Sequence, residues 1–276
     1  MSLSIRTNVA SLDAQRNLSQ TQLSLDASLS KLSSGYRITK AGDDAAGLGI
    51  STALNAQYRS YNQAVRNAND GLSVGQSAEA GFNEISNILT RMRELAMQSA
   101  SDGVTNSQRT NMIETERTQL SSEVDRISNS TQFNGVNLLN TTATSLDFQV
   151  GIGAIKANDV ISVSSVDTTQ TGLGIQGLTF DTKANAVAAL ATIDTALNTL
   201  STDRATFGAV GNRLQSAINA VQTFAQATAA ADSRIRDVDV AAETANMTRA
   251  SILAQAGVSV LSQANQMPQM ALKLLG

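Results

Sequence analysis

The chain has 276 residues, with 20 Lys and Arg against 23 Asp and Glu, one Pro, and no Cys, His or Trp. Missing thiols and imidazoles exclude disulfides, thiolate metal sites, zinc hydrolases and Ser-His-Asp triads in their usual forms, and a net charge of -3 offers no basic field for nucleic acid. With 42% hydrophobic but only 3% aromatic residues, any core is built from Ala, Leu, Ile and Val, as in coiled coils.

Near the N-terminus, Arg6 is followed by no apolar run or cleavage site of a secretory signal peptide, and no stretch reaches the ~20 apolar residues of a membrane span, so membrane insertion is not expected. Leu18, Gln22, Leu25, Leu29, Leu32 and Tyr36, preceded by Ile5, Val9 and Leu12, step by three and four and predict a long helix. The Gly- and Asp-rich stretch at 41–49 breaks it, and Asp43 or Asp44 can cap the next helix. The rhythm resumes with Leu54, Tyr58, Tyr61, Val65, Ala68 and Leu72 and then Phe82, Ile85, Leu89, Met92 and Ala96, predicting a helix to about Ala100. Gly71, Gly75 and Gly81 interrupt it, each costing roughly 1 kcal/mol relative to Ala, which predicts close packing there as compensation.

A turn at 101–107 leads to a helix marked by Ile113, Leu120, Val124 and Ile127, ending before residues 129–135. Between 141 and 181 the pattern changes: 146–153 and 159–166 alternate or are rich in β-branched residues, which predicts short strands and hairpins. Leu190, Ile193, Leu197, Leu200, Arg204, Phe207, Gly211, Leu214, Ile218, Val221 and Ala225 then mark a coiled-coil helix, and Val240, Thr244, Met247, Ser251, Ala254, Val258, Leu261 and Asn265 mark a last one. From Asp239 onward the only charged residues are Asp239, Glu243, Arg249 and Lys273, too few for a solvated surface helix. The fold expected is mainly α: a long coiled-coil rod with both termini at one end and a small β-hairpin region mid-chain. Pairing of the two terminal helices within one molecule covers one stripe and leaves neutral outer faces that require neighbours.

Nothing assembles a catalytic, cofactor or metal site. Gly172, Gly174 and Gly177 spell GxGxxG but lead into a Thr- and Asp-containing stretch and not directly into a helix, so they are read as turn glycines between strands. Glu79 and Glu84 read as solvated or ion-paired, and Met247, Met267 and Met270 as adaptable packing.

Residues 32–51 (LSSGYRITKAGDDAAGLGIS), 132–139 (QFNGVNLL), 233–253 (SRIRDVDVAAETANMTRASIL) and 255–275 (QAGVSVLSQANQMPQMALKLL) closely resemble bacterial flagellin. The resemblance implies a subunit that polymerises with many copies of itself into the extracellular flagellar filament used for swimming. It implies secretion through the type III flagellar export apparatus, with a flagellin chaperone and the filament cap and junction proteins as partners. Residues 1–40 and 238–276 then form a terminal coiled-coil, inner-tube domain; 41–140 and 182–237 form an outer-tube helical bundle, with 141–181 its β-hairpin segment and no large outer domains. Ile5, Val9, Leu12, Leu25, Leu29, Leu32, Met247, Ala254, Val258 and Leu261 are expected at subunit packing positions. By the same resemblance Arg91, Leu95, Gln98 and Glu116 are candidates for recognition by the Toll-like innate receptor that senses flagellin. A hook-filament junction protein shares such ends and is the alternative.

Overall fold

The computed structural model describes residues 7–141 and 143–275, with side chains described as far as Met267. Two compact units emerge, one made of the chain up to Ala56 with the chain from Ala227 onward, the other of Gln57–Gln226.

The first unit is organised by α1 (Val9–Ser34) and α7 (Val240–Leu275). The Asn8 side chain caps α1 by accepting the Ser11 N–H at 3.0 Å, and Gly35 ends it in the left-handed conformation at φ 74°, its N–H reaching the Lys31 carbonyl. Of the two Asp residues singled out in the sequence, Asp44 is the cap and Asp43 closes the turn before it. Asp43 collects the Thr39 and Lys40 N–H groups and the Thr39 hydroxyl, which holds its carboxyl below the usual range, and Asp44 accepts the Gly47 N–H at 2.8 Å where α2 (Ala45–Ala100) begins. A Cβ at Gly47 would collide with Asp44 and with the buried Ile38.

α1 and α7 run antiparallel: Asn8 Nδ2 donates to the Ala264 carbonyl at 2.8 Å and the Ser11 hydroxyl to Asn265 Oδ1 at 2.8 Å. At the other end the Arg37 N–H reaches the Arg236 carbonyl at 2.6 Å, the Val238 N–H reaches that of Gly35 at 3.0 Å, and the Arg236 guanidinium lies 4.0 Å from the Tyr36 ring centre. The first residues of α1 thus lie beside the C-terminal half of α7, as the layout of the sequence predicts.

The second unit is built on the long stretches of α2 and α6 (Lys183–Arg236) that it contains. Its core is dense and apolar: Phe82, Ile85, Leu89 and Met92 of α2 and Ile193, Leu200 and Phe207 of α6 are buried, with Phe180 from the preceding loop. Phe82 and Phe207 meet edge to face at 5.2 Å. Two of the three α2 glycines have the compensation expected of them. A Cβ at Gly71 would press on Leu214 and Phe148, and one at Gly81 on Leu139 and Thr131, whereas nothing approaches Gly75.

After α2 come α3 (Asn106–Gln108), a π-helical turn at Arg109–Ile113 and α4 (Glu114–Ser130). Thr105 and Gln108 form a reciprocal capping box. The π-helical turn holds Arg109, which is buried and donates to the Ser99 and Ser101 carbonyls at the end of α2 and to Asn106 Oδ1. The hairpin expected between 146 and 166 is present as β3 (Ser145–Gln149) and β4 (Val160–Ser164), antiparallel from Ser145 opposite Ser164 to Gln149 opposite Val160. A short helix, α5 (Lys156–Asp159), lies between them.

A second, smaller hairpin was not anticipated from the sequence: β1 (Gln132–Phe133) pairs with β2 (Val136–Asn137) around Asn134 at φ 50° and Gly135 at φ 78°. Gly174 and Gly177, at φ 68° and 79°, are turn residues as expected, but the turn lies between β4 and α6 and not between strands.

Candidate assembly surface

In the hairpin of α1 and α7 the covered positions of each helix alternate in steps of three and four. On α1 they are Ser11, Ala14, Leu18, Thr21, Leu25, Ser28 and Leu32; on α7 they are Met247, Ala250, Ala254, Gly257, Leu261 and Ala264, with Lys31, Glu243 and Ser251 also partly covered beside them. The fully buried members are small: Ser11, Ser28, Ala250 and Ala264. Leu18 sits so close to Gly257 that an added Cβ would lie 3.2 Å from its methyl group. Small residues let the two backbones approach, and the leucines are covered only in part.

This phase corrects the stripe predicted from the sequence. Leu18, Leu25, Leu32, Met247, Ser251, Ala254 and Leu261 are indeed partly covered, but Val9, Leu12, Gln22, Leu29 and Tyr36 of the predicted N-terminal stripe are exposed, as are Val240, Thr244, Val258 and Asn265. The reason is geometric. Counting large apolar residues selects the leucines, whereas a two-helix contact closes best on Ser, Ala and Gly and leaves the larger side chains at its edges. Ile5 lies outside the described residues.

The outer faces therefore carry the unusual feature. On α1, Val9, Leu12, Leu23 and Leu29 are about half or more exposed; on α7, Val240, Ile252, Leu253, Val258, Val260 and Met267 are. Leu253, Val260 and Met267 recur every seven residues and so form one line along α7. Sequence reading overlooked Leu23, Leu253 and Val260, although the seven-residue spacing was a usable signal. Covering the exposed half of such an aliphatic side chain yields roughly 1 kcal/mol, so a face of this size offers association several kcal/mol gross. Within α7, Glu243 and Arg249 are the charges among residues 240–267. A groove of about 580 Å3 between the helices is lined by amide and hydroxyl groups of Asn17, Gln20, Ser24 and Asn246 with Lys31 and Arg249.

The second unit presents a different surface. Arg93 pairs with Asp194 at 2.7 Å and Lys183 with Asp102 at 2.8 Å, and Arg204 reaches Glu79. Hydrogen bonding and charge from Arg93 and Lys183 hold Asp194 and Asp102 below the usual carboxylate range.

Four residues named from the sequence come together here. Arg91, Leu95, Gln98 and Glu116 border one depression of about 350 Å3, with Val104, Met112 and Ile113. Arg91 pairs with Glu116 at 2.8 Å and Glu94 at 3.0 Å at its rim. Leu95 is only 1% exposed, so it is floor, packed in the core, and not a protruding contact.

Among the described residues no group of three or more acidic, His or Cys side chains could hold a metal ion, and no helix is long and apolar enough to cross a membrane.

Comparison with known proteins bears on what such a surface is for. Residues 5–144 match the bacterial flagellin N-terminal helical region and residues 190–275 the bacterial flagellin C-terminal helical region. The chain is 40% identical to a flagellin of Halalkalibacterium halodurans over 98% of this chain and 99% of that one, and 38% identical to a flagellin of Bacillus subtilis with the same coverage. The crystal structure of Bacillus cereus flagellin superposes with a TM-score of 0.50 at 33% identity, covering 56% of this chain and 88% of that one.

Proposed function

This chain belongs to the bacterial flagellin family and is a structural subunit of the flagellar filament, and from that premise we propose that the outer faces of the α1–α7 hairpin are where its copies pack. The observation that carries the reading is the run of large apolar side chains left exposed on two helices almost without charge. In a helical polymer each outer face meets another copy, so neutral, mixed small and large residues close the contact without burying an unpaired charge. In this reading residues 1–40 and 238–276 are the inner tube and 41–140 with 182–237 the outer tube, 141–181 being the latter's β-hairpin segment. Val9, Leu12, Leu29 and Val258 are direct inter-subunit contacts. Leu25, Leu32, Met247, Ala254 and Leu261 support them by setting the hairpin.

Secretion of the chain through the flagellar type III apparatus, with a chaperone, cap and junction proteins as partners, belongs to the same proposal. The poorly covered hairpin supports it: two helices with few fully buried large side chains do little to offset their ordering entropy, so folding of the ends is coupled to assembly. Recognition by a Toll-like innate receptor at the depression around Arg91, Gln98 and Glu116 is proposed on their clustering, with Leu95 acting from beneath.

Purified subunits added to filament fragments are expected to extend them without limit. Addition of a single layer that then stops would instead support a junction protein, the alternative that full-length similarity to flagellins does not favour.

A further inference from the structure

Met267 is the last described side chain on the line that Leu253 and Val260 begin on the outer side of α7, and it is 50% exposed. This line is separate from the covered seam through Met247, Ala250, Ala254, Gly257, Leu261 and Ala264. Leu253 and Val260 also border a groove of about 270 Å3 against Ala14, Leu18 and Thr21 of α1, so the line flanks a concave path that an apolar segment of another copy can enter.

We propose that Met267 is a site of reversible oxidation, and that its sulfoxide prevents a subunit from joining the polymer while assembly itself protects the sulfur. This rests on the reading of the outer face given above. The chemistry needs one co-reactant, hydrogen peroxide. The thioether sulfur attacks one peroxide oxygen, the O–O bond breaks, and the departing hydroxide gains a proton to become water. That proton comes from the hydroxyl now on sulfur, leaving the sulfoxide, so the sulfur is oxidised by two electrons and the peroxide is reduced to two oxygens at the water level, one of them on sulfur. Thiol-dependent sulfoxide reductases return it to the thioether.

The product is a strong hydrogen-bond acceptor on a side chain that was apolar and flexible. Placed between copies, on the line of Leu253 and Val260 and beside Ala264, it brings a polar oxygen into a contact that the thioether enters as an apolar group, with Gln263 and Gln266 as the neighbouring amides on the helix. The chain supplies its own controls. Met92 is fully buried in the core of the central unit, Gln57–Gln226, Met247 is half-buried in the hairpin, and Met97 and Met112 are exposed on the central unit.

The test treats unassembled subunits and finished filaments with hydrogen peroxide, maps oxidation by peptide mass and measures incorporation onto filament seeds. Subunits are expected to be oxidised at Met267, Met97 and Met112 and spared at Met92, and to add to seeds about tenfold more slowly or worse. Filaments are expected to be spared at Met267. Treated Met267→Leu subunits, which retain every other methionine, should add at the untreated rate, and sulfoxide reductase should restore the treated wild type. Incorporation of Met267-oxidised subunits at the full rate would overturn the proposal, as would equal loss in Met267→Leu. Normal assembly by an untreated Leu253→Asp, Val260→Asp variant would instead remove the outer-face reading on which it rests.

Discussion

The two units solve the same problem in opposite ways. Gln57–Gln226 buries Phe82, Ile85, Leu89, Met92, Phe180, Ile193, Leu200 and Phe207 in a closed core and covers its outside with ion pairs. The terminal hairpin buries mainly Ser and Ala at its contact and turns Leu, Ile, Val and Met outward. One unit is complete as a single molecule; in the proposed reading the other is half of a contact. Local helix-forming pattern is similar in both, so the difference lies in which side chains the chain can cover by itself.

The comparison breaks most completely if charge is placed on the outer line. Leu253→Asp combined with Val260→Asp is expected to abolish filaments in electron micrographs, because each copy would bury carboxylates in an apolar contact. The thermal unfolding of the central unit should be unchanged, since neither residue belongs to its core. The converse substitution is Phe82→Ala. Loss of a fully buried ring that meets Phe207 edge to face should cost about 3–5 kcal/mol in urea unfolding of the central unit, with filament contacts untouched.

A smaller effect is expected at Arg109. Replacing it by Met keeps the bulk but leaves the Ser99 and Ser101 carbonyls at the end of α2 without their donor, at roughly 1–3 kcal/mol by the same unfolding measurement. Smallest is the effect of acid. Asp102, Asp194 and Asp147 have carboxyls depressed by Lys183, by Arg93 and by Lys156 with Ser162, respectively. A depressed folded-state pKa contributes stability that is present above the unfolded value, near pH 4, and lost as pH falls through the lower folded value. Melting of the central unit should therefore be flat from neutral down to about pH 4 and decline modestly below it. All three groups are solvent-exposed, so salt should blunt the decline.

The long helices were legible because an apolar residue every three or four positions over dozens of residues has few other meanings, and the β3–β4 hairpin because Val160, Ile161 and Val163 sit in a β-branched run. The β1–β2 hairpin was missed although Asn134-Gly135 is the strongest short turn signal, because strands of two residues leave no alternation to count. The phase of the terminal seam was misread because it depends on how closely two backbones approach. Ser11, Ala250, Gly257 and Ala264 govern that approach, and they carry no apolar signal to speak of. The burial of Leu95 and the capping role of Arg109 depend on contacts across the fold that no local window contains.

Amide hydrogen exchange compared between dilute subunits and finished filaments tests the contrast most directly. The α2 segment around Phe82–Met92 should exchange slowly in both states, while α1 and α7 should exchange quickly in subunits and become protected in filaments. Equal protection of α1 and α7 in the dilute subunit and the filament would contradict the account, because the hairpin would then be stable without its neighbours.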